Sequence, residues 1–143
     1  MTIAIYIAGP LFNIHERWYL EQISEALVQA GYSTFLPHRD VGVITDFSLE
    51  ERSRLFIDDL QAIDRCNVCV ALLTGADHDS GTSAEIGYAY AKGKPCYGLT
   101  DDRRWMNNFI WGLCGMGKHI YSNIPDLLNV LKEHSNGSFG NSA

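Results

Sequence analysis

Short apolar runs alternate with longer amphipathic stretches along the chain, and the two patterns predict different elements. The short runs end at glycine, proline or polar residues, as buried strands do, whereas the longer stretches repeat their apolar positions with helical spacing. The predicted strands are residues 4–8, 33–36, 68–73, 96–99 and 119–121. The predicted helices are one with the apolar stripe Leu20, Ile23, Leu27 that stops at Gly31, and the segments 49–65, 82–92 and 124–134.

Strands that alternate with helices imply parallel pairing and right-handed crossovers. Five strands favour an α/β fold of the flavodoxin-like type, a doubly wound five-stranded parallel sheet with helices on both faces. Such sheets bind ligands at the carboxyl ends of the first and third strands. The loops there are residues 9–13 and 74–81. We expect a single domain over residues 1–134 and a polar C-terminal tail over residues 135–143.

Composition and charge exclude several classes of protein. The 143 residues carry 17 acidic and 11 basic side chains, a net charge of −6, and an acidic surface repels the phosphates of nucleic acid. The sequence has no basic run that could bind an anionic membrane surface. No apolar run approaches the ~20 residues of a membrane-spanning helix. The first strand begins almost at once, without a positively charged leader. We therefore expect a cytoplasmic protein that binds neither nucleic acid nor membranes.

The four cysteines are expected to be buried structural thiols. Cys66 and Cys69 have the CxxC spacing, but no second such pair follows, and Cys69 lies inside an apolar run. The histidines are scattered, so we expect no metal site. Neither a phosphate-binding glycine loop nor a nucleophile elbow occurs.

The loop after the third strand and the helix that follows hold the most informative polar residues. Asp77, Asp79 and Glu85 lie where the topology places a ligand. Thr82 and Glu85 also fit a capping box, which would make this glutamate a helix-start residue. The following residues 86–91 are small and apolar nearly all round, however. That pattern predicts a buried helix with Glu85 at the floor of the crevice.

Asp59 and Tyr6 are unusual in their predicted elements. Asp59 falls four residues after Leu55 and four before Ile63, inside the apolar stripe of its helix. It is either a structural group bonded to loop amides or a core-facing carboxyl whose pKa is raised. Tyr6 lies between two alanines on one face of the first strand, so its ring either packs in the core or aims its hydroxyl at the crevice.

The segment 105–111 is rich in aromatic residues and contains two asparagines. It could belong to the core, to an interface, or to a lid over a flat ligand.

Three motifs together resemble the nucleoside 2-deoxyribosyltransferase family over nearly the whole chain. They are IYIAGPLFN at residues 5–13, DDLxxI at 58–63, and DSGTSAEIGYA at 79–89 with GKP after it. The resemblance implies an enzyme that moves a 2-deoxyribosyl group between purine or pyrimidine bases. Glu85 would be the nucleophile, Tyr6 would orient it, and Asp59 and Asp79 would bind the base and manage its proton. An enzyme of this family needs no metal or organic cofactor.

Further residues enter through the same resemblance. The substrate-binding positions would include Gly9, Pro10, Phe12, Asp77 and Gly81. The family completes each site with an Asn-x-Met element from a neighbouring subunit, which implies a homo-oligomer. The matching positions here are Asn107, Asn108 and Phe109, with phenylalanine in place of methionine. Either asparagine could make the contact. A C-terminal tyrosine found in some members is absent, and Phe139 could replace it.

Two alternatives remain at this point. A 2-deoxynucleoside 5-monophosphate N-glycosidase would use the same glutamate with water as acceptor, but would need polar or basic residues after the first strand. That loop, residues 10–13, is largely apolar and no arginine occurs before Arg17, which favours a free nucleoside and a base acceptor. A non-enzymatic nucleotide-binding module of the receiver type would need acidic residues after the first strand, where Gly9 and Pro10 stand.

Overall fold

A computed structural model of the chain describes residues 2–42, 44–75, 78–102 and 104–136. The strands are β1 (Ala4–Ala8), β2 (Ser33–Phe35), β3 (Val68–Leu72), β4 (Cys96–Leu99) and β5 (Ile120–Tyr121). The helices are α1 (Ile14–Gln29), α2 (Pro37–Asp40), α3 (Leu49–Arg65), α4 (Ser80–Ala91), α5 (Asn108–Leu113) and α6 (Ile124–Ser135).

The five strands form one parallel sheet in the order β2-β1-β3-β4-β5. In the register, Tyr6 of β1 lies opposite Cys69 of β3, which lies opposite Cys96 of β4. The chain reverses direction of winding between β1 and β3. This confirms the predicted flavodoxin-like sheet and its crevice at the carboxyl ends of those two strands.

Helices cover both faces of the sheet, and each face has its own core. Alternate strand residues point to opposite sides. Tyr6, Ala8 and Ala71 pack with α3, α4 and α5 on one face. Ile5 and Ile7 pack with α1 and α6 on the other. The site described below lies on the first of these two faces.

Side-chain caps fix the starts of the longer helices. Asn13, Ser48 and Asn123 each accept a hydrogen bond from the amide three residues on. Ser48 and Glu51 have the spacing of a capping box, but only half of it forms: the Ser48 hydroxyl accepts from the Glu51 amide, whereas the Ser48 amide donates to Asp46. The box predicted at Thr82 is wrong, because α4 begins earlier and Asp79 is its cap.

Two other expectations change. A short helix, α2, lies between β2 and α3, where the sequence pattern predicted no helix; the Leu36 amide donates to Asp40, which closes this turn. Helix α4 is not buried all round either, since Ala84 and Tyr90 are exposed. Glu85 is partly buried, between the buried and the exposed sides of this helix.

The cysteines are buried, as predicted, and none forms a disulfide. Burial raises the pKa of the Cys66 thiol to about 11 and that of Cys114 to about 12, so both are protonated at neutral pH.

No helix of the described chain is both long and apolar enough to cross a membrane.

Candidate active site

Tyr6 and Glu85 form a hydrogen-bonded pair at the centre of the site. The Tyr6 side chain is fully buried, and its hydroxyl donates to Glu85 Oε2. The ring stacks on Phe35 of β2, with centroids 5.6 Å apart and planes inclined by 12°. Strand β1 thus supplies a fixed donor, and the second turn of α4 supplies the carboxylate. Both readings of Tyr6 hold in part: its ring packs in the core, and its hydroxyl is directed at Glu85.

Asp59 is the second carboxyl group of the site. It is half-buried on α3, and its Oδ1 is buried with no hydrogen-bond partner among the described residues. This oxygen thus makes none of the bonds to loop amides that one reading of the sequence allowed. Its charge acts on both Tyr6 and Glu85. A carboxyl oxygen left in this state is available to a ligand.

The pKa values of the two carboxyl groups are raised. Burial raises the pKa of Glu85 to about 7; the charges of Asp59 and Asp79 add to this, while the hydrogen bond from Tyr6 opposes it. Burial, with a contribution from the Asp58 charge, raises the pKa of Asp59 to about 6. Burial and the neighbouring carboxylates keep the pKa of Tyr6 far above its usual range, so its hydroxyl remains a donor.

Asp79 caps α4 at the rim of the same site. Its Oδ2 accepts from the Thr82 amide and from Thr82 Oγ1, each at 2.8 Å. A Cβ on the exposed Gly81 would lie 3.3 Å from that Oδ2, tighter than ordinary contact. The sequence assigned the cap to Thr82; the stronger preference of aspartate for the cap position was the signal that could have identified it.

The loop between β1 and α1 combines a structural glycine with an exposed ring. A Cβ on Gly9 would lie 2.5 Å from Leu20 Cδ2 and 3.2 Å from Leu72 Cβ, so any side chain here would force Leu20 to move and would crowd Leu72. Pro10 is buried, whereas the Phe12 side chain is 78% exposed. Asp77, the remaining loop position predicted to bind substrate, lies outside the described residues.

The predicted neighbour-facing residues lie at the start of α5. Asn107 is the cap: its Oδ1 accepts from the Phe109 and Ile110 amides at 2.8 and 3.4 Å. Asn108 is exposed, and the Phe109 side chain is 75% exposed. In the part of the chain that is described, no hydrogen bond joins these residues to Glu85, Tyr6 or Asp59.

A second cleft opens at the same edge of the sheet. It has a volume of about 510 Å³ and lies between the start of α1 and the loops after β3, β4 and β5. Tyr19, Thr74, Asp101 and Ser122 are among its lining residues, and Glu85, Tyr6 and Asp59 are not. Asn13, Thr74 and Gly75 come from the two loops that the topology predicted to bind a ligand, whereas the part played by Asp101 and Ser122 was not predicted. Among the described residues, no group of three or more His, Cys, Asp or Glu side chains could hold a metal ion.

Comparisons with known proteins give the same picture as the geometry. The family model described as nucleoside 2-deoxyribosyltransferase matches residues 5–138. A search of curated protein sequences finds no match.

Three solved structures are similar in fold. A conserved protein from Enterococcus faecalis V583 is 25% identical, with a TM-score of 0.82 over 94% of this chain and 99% of that one. A 2-deoxyribosyltransferase from Bacillus psychrosaccharolyticus is 24% identical, with a TM-score of 0.78 over 88% and 90%. A CMP N-glycosidase from Clostridium botulinum is 22% identical, with a TM-score of 0.58 over 90% and 98%. On the family match, which spans nearly the whole chain, this protein belongs to the nucleoside 2-deoxyribosyltransferase family, whose members act on N-glycosidic bonds.

Proposed function

We propose that the chain transfers the 2-deoxyribosyl group of a deoxynucleoside to another purine or pyrimidine base, with residues 1–134 as its catalytic domain. The observation that carries this proposal is the Tyr6–Glu85 pair with the unpartnered carboxyl oxygen of Asp59 beside it. Cleavage of an N-glycosidic bond needs a carboxylate that stabilises and traps an oxocarbenium-like sugar, and an acid that protonates the leaving base. Glu85 and Asp59 supply these two groups.

The reaction takes place in two displacements at C1′. In the first, the Glu85 carboxylate forms a bond to C1′ while the bond to the base breaks; the electron pair goes to the base nitrogen, and Asp59 donates its proton to the base. In the second, a ring nitrogen of the acceptor base attacks C1′, its proton passes to Asp59, and Glu85 leaves as a carboxylate. Two inversions give overall retention, as for retaining glycosidases.

The charge of the site favours a nucleoside over a nucleotide. Glu85, Asp59 and Asp79 lie close enough for their charges to interact. Arg17, the first basic residue after β1, already donates to the Leu11 carbonyl at 2.7 Å. A 5′-phosphate would meet several carboxylates, and like charges at short range repel each other. This supports a free deoxynucleoside as donor and a free base as acceptor, with Gly9, Pro10, Phe12, Asp77 and Gly81 around them.

A second subunit would complete the site. Large apolar side chains are exposed before and along α3 and α5, on the face of the sheet that carries Glu85. They are Phe47, Leu49, Phe56, Trp105 and Phe109. An exposed apolar surface of this kind is typical of a protein interface. In a homo-oligomer, Phe109 and either Asn107 or Asn108 would reach the site of the neighbour.

The test of this function is the product formed from deoxyinosine and adenine. We expect deoxyadenosine and hypoxanthine, and their formation can be measured by liquid chromatography. Double-reciprocal plots of the initial rates should show the parallel lines of a double displacement. Exclusive release of free 2-deoxyribose, or activity only on a 5′-monophosphate, would instead support the N-glycosidase alternative. Binding without any turnover would support the non-enzymatic module.

Replacing Tyr6 with phenylalanine should change the pH profile of kcat/KM in a specific direction. The reactive form has Glu85 ionised and Asp59 protonated. Because the pKa of Glu85, about 7, lies above that of Asp59, about 6, Glu85 sets the alkaline limb and Asp59 the acid limb. Losing the Tyr6 hydrogen bond removes an effect that lowers the pKa of Glu85. The alkaline limb should therefore move to higher pH while the maximum falls; an unmoved limb would contradict the role of Tyr6.

A further inference from the structure

Thr82 is one of the few polar side chains that are almost completely buried. It is 1% exposed, and in the described part of the chain only Ser24, at 2%, is comparable. Ser24 lies within hydrogen-bonding distance of Thr34 and Arg39, away from Glu85. Thr82 is instead on the first turn of α4, between the cap residue Asp79 and Glu85. A buried hydroxyl in this position needs a partner, and its partner is Asp79.

The hydroxyl makes a hydrogen bond that helix capping does not require. A cap is satisfied when the Asp79 carboxylate accepts from the Thr82 amide, which any residue at position 82 other than proline could donate. Thr82 Oγ1 adds a second donor to the same Oδ2 atom, also at 2.8 Å. Two donors that converge on one oxygen fix the rotation of the carboxylate. They leave Oδ1 as the oxygen that can accept from a ligand.

The fixed carboxylate belongs to the site, since the charge of Asp79 acts on Glu85. We propose that Thr82 is a positioning residue: it holds Asp79 in one rotamer, so that Oδ1 accepts a hydrogen bond from a hydroxyl or N–H group of the substrate. This inference rests on the proposed function in that the substrate is the nucleoside bound beside Glu85. It predicts an effect on substrate binding more than on the chemical step.

Helix α4 offers a matched set of variants. Thr82→Val keeps the shape and the amide but removes the hydroxyl, and Thr82→Ser restores the hydroxyl. Ser83→Ala is the control, because Ser83 Oγ donates to the Asp79 backbone carbonyl at 2.9 Å, one residue further along the same turn, and not to the carboxylate. Any general effect of losing a hydroxyl from this turn should appear in Ser83→Ala as well.

We expect Thr82→Val to raise KM for deoxyinosine by about tenfold with kcat changed less than about threefold, because a hydrogen bond to a charged group is disturbed. Thr82→Ser should return KM close to the unaltered value, and Ser83→Ala should leave it there. In an Asp79→Asn background, Thr82→Val should have little further effect on KM, since the two residues act as one unit. A melting temperature for each variant shows whether the fold is intact.

Several results would overturn the role of Thr82. These are a KM unchanged in Thr82→Val, a Thr82→Ser variant no better than Thr82→Val, an equal loss in Ser83→Ala, or effects of Thr82→Val and Asp79→Asn that simply add. The affinity for deoxyinosine, measured in parallel by calorimetry in a Glu85→Gln background that cannot form the covalent adduct, should weaken on adding Thr82→Val by the same factor as KM. This binding result separates the two proposals. If the unaltered chain hydrolyses or only binds deoxyinosine, the proposed transfer is refuted, but the affinities with and without Thr82→Val still test the role of Thr82.

Discussion

Replacing Glu85 with alanine should abolish deoxyribosyl transfer, with kcat lower by on the order of a thousandfold or more. The other carboxylates cannot substitute, because Asp59 is on a different helix and Asp79 is engaged in the cap of α4. Glu85→Gln should be equally inactive. It keeps an oxygen that can accept from the Tyr6 hydroxyl, so it separates loss of the nucleophile from loss of a buried hydrogen bond.

The covalent intermediate gives a direct readout for the same residue. Incubation of the unaltered chain with a deoxynucleoside and no acceptor should add the mass of one deoxyribosyl unit, and proteolytic mapping should place it on Glu85. Glu133→Ala, a change of an exposed glutamate near the end of α6, is the control and should retain both activity and adduct. Near-normal transfer by Glu85→Ala would refute the assignment.

The Glu85→Ala chain also tests the shared site. Asn107→Ser keeps an oxygen that can cap α5 but loses the amide group, and Asn108→Ala leaves that cap untouched. If a neighbour supplies one of these asparagines, mixing the matching variant with Glu85→Ala should restore activity at roughly a quarter of the sites, where two intact contributions meet. No recovery with either variant would argue that each chain builds its site alone.

Replacing Asp59 with asparagine should have the second largest effect. The leaving base would lose its proton donor, and general acid catalysis is typically worth about 10²- to 10⁴-fold. We expect kcat for deoxyinosine to fall in that range. The remaining activity should rise with pH to a plateau instead of passing through a maximum, because no group with the acid role remains to be deprotonated. The profile is measured from initial rates between about pH 4 and about pH 9, roughly two units beyond the pKa values of about 6 for Asp59 and about 7 for Glu85.

The choice of leaving group makes the Asp59 prediction specific. A 7-methylated deoxyguanosine carries a positive charge on its base and departs without protonation, so Asp59→Asn should lower its rate of cleavage less than about tenfold. Glu50→Gln is the control: this carboxylate is exposed on the first turn of the same helix. It should stay within about twofold of the unaltered chain. Equal losses for both leaving groups would contradict the acid role of Asp59.

The position of Asp59 shows how far a sequence pattern reaches. Helical spacing placed this residue inside an apolar stripe but left open whether its carboxyl was bonded to loop amides. That question depends on which groups of other elements come near it, and spacing along one helix does not contain this information. For Tyr6 the alternation of strand residues was more informative, because small neighbours on the same face leave room for a ring beside α4.

Other features depend on contacts between distant parts of the chain. The start of α4 was misplaced because Asp79 and Thr82 are both good cap residues. Which of them caps the helix depends on the path of the loop after β3. Phe56 belongs to the apolar stripe of α3, yet its side chain is 64% exposed. An amphipathic pattern identifies an apolar surface but does not say which element covers it.

The close approach at Gly9 has a consequence for the whole molecule. Leu20 and Leu72 belong to the core on the α1 side, yet they abut the backbone immediately after the strand that carries Tyr6. At this point only the backbone of the chain separates the two cores. Closely packed interiors transmit strain. A packing change around Leu20 should therefore act on the backbone just beyond the strand that carries Tyr6, although no residue of α1 is among the proposed catalytic groups.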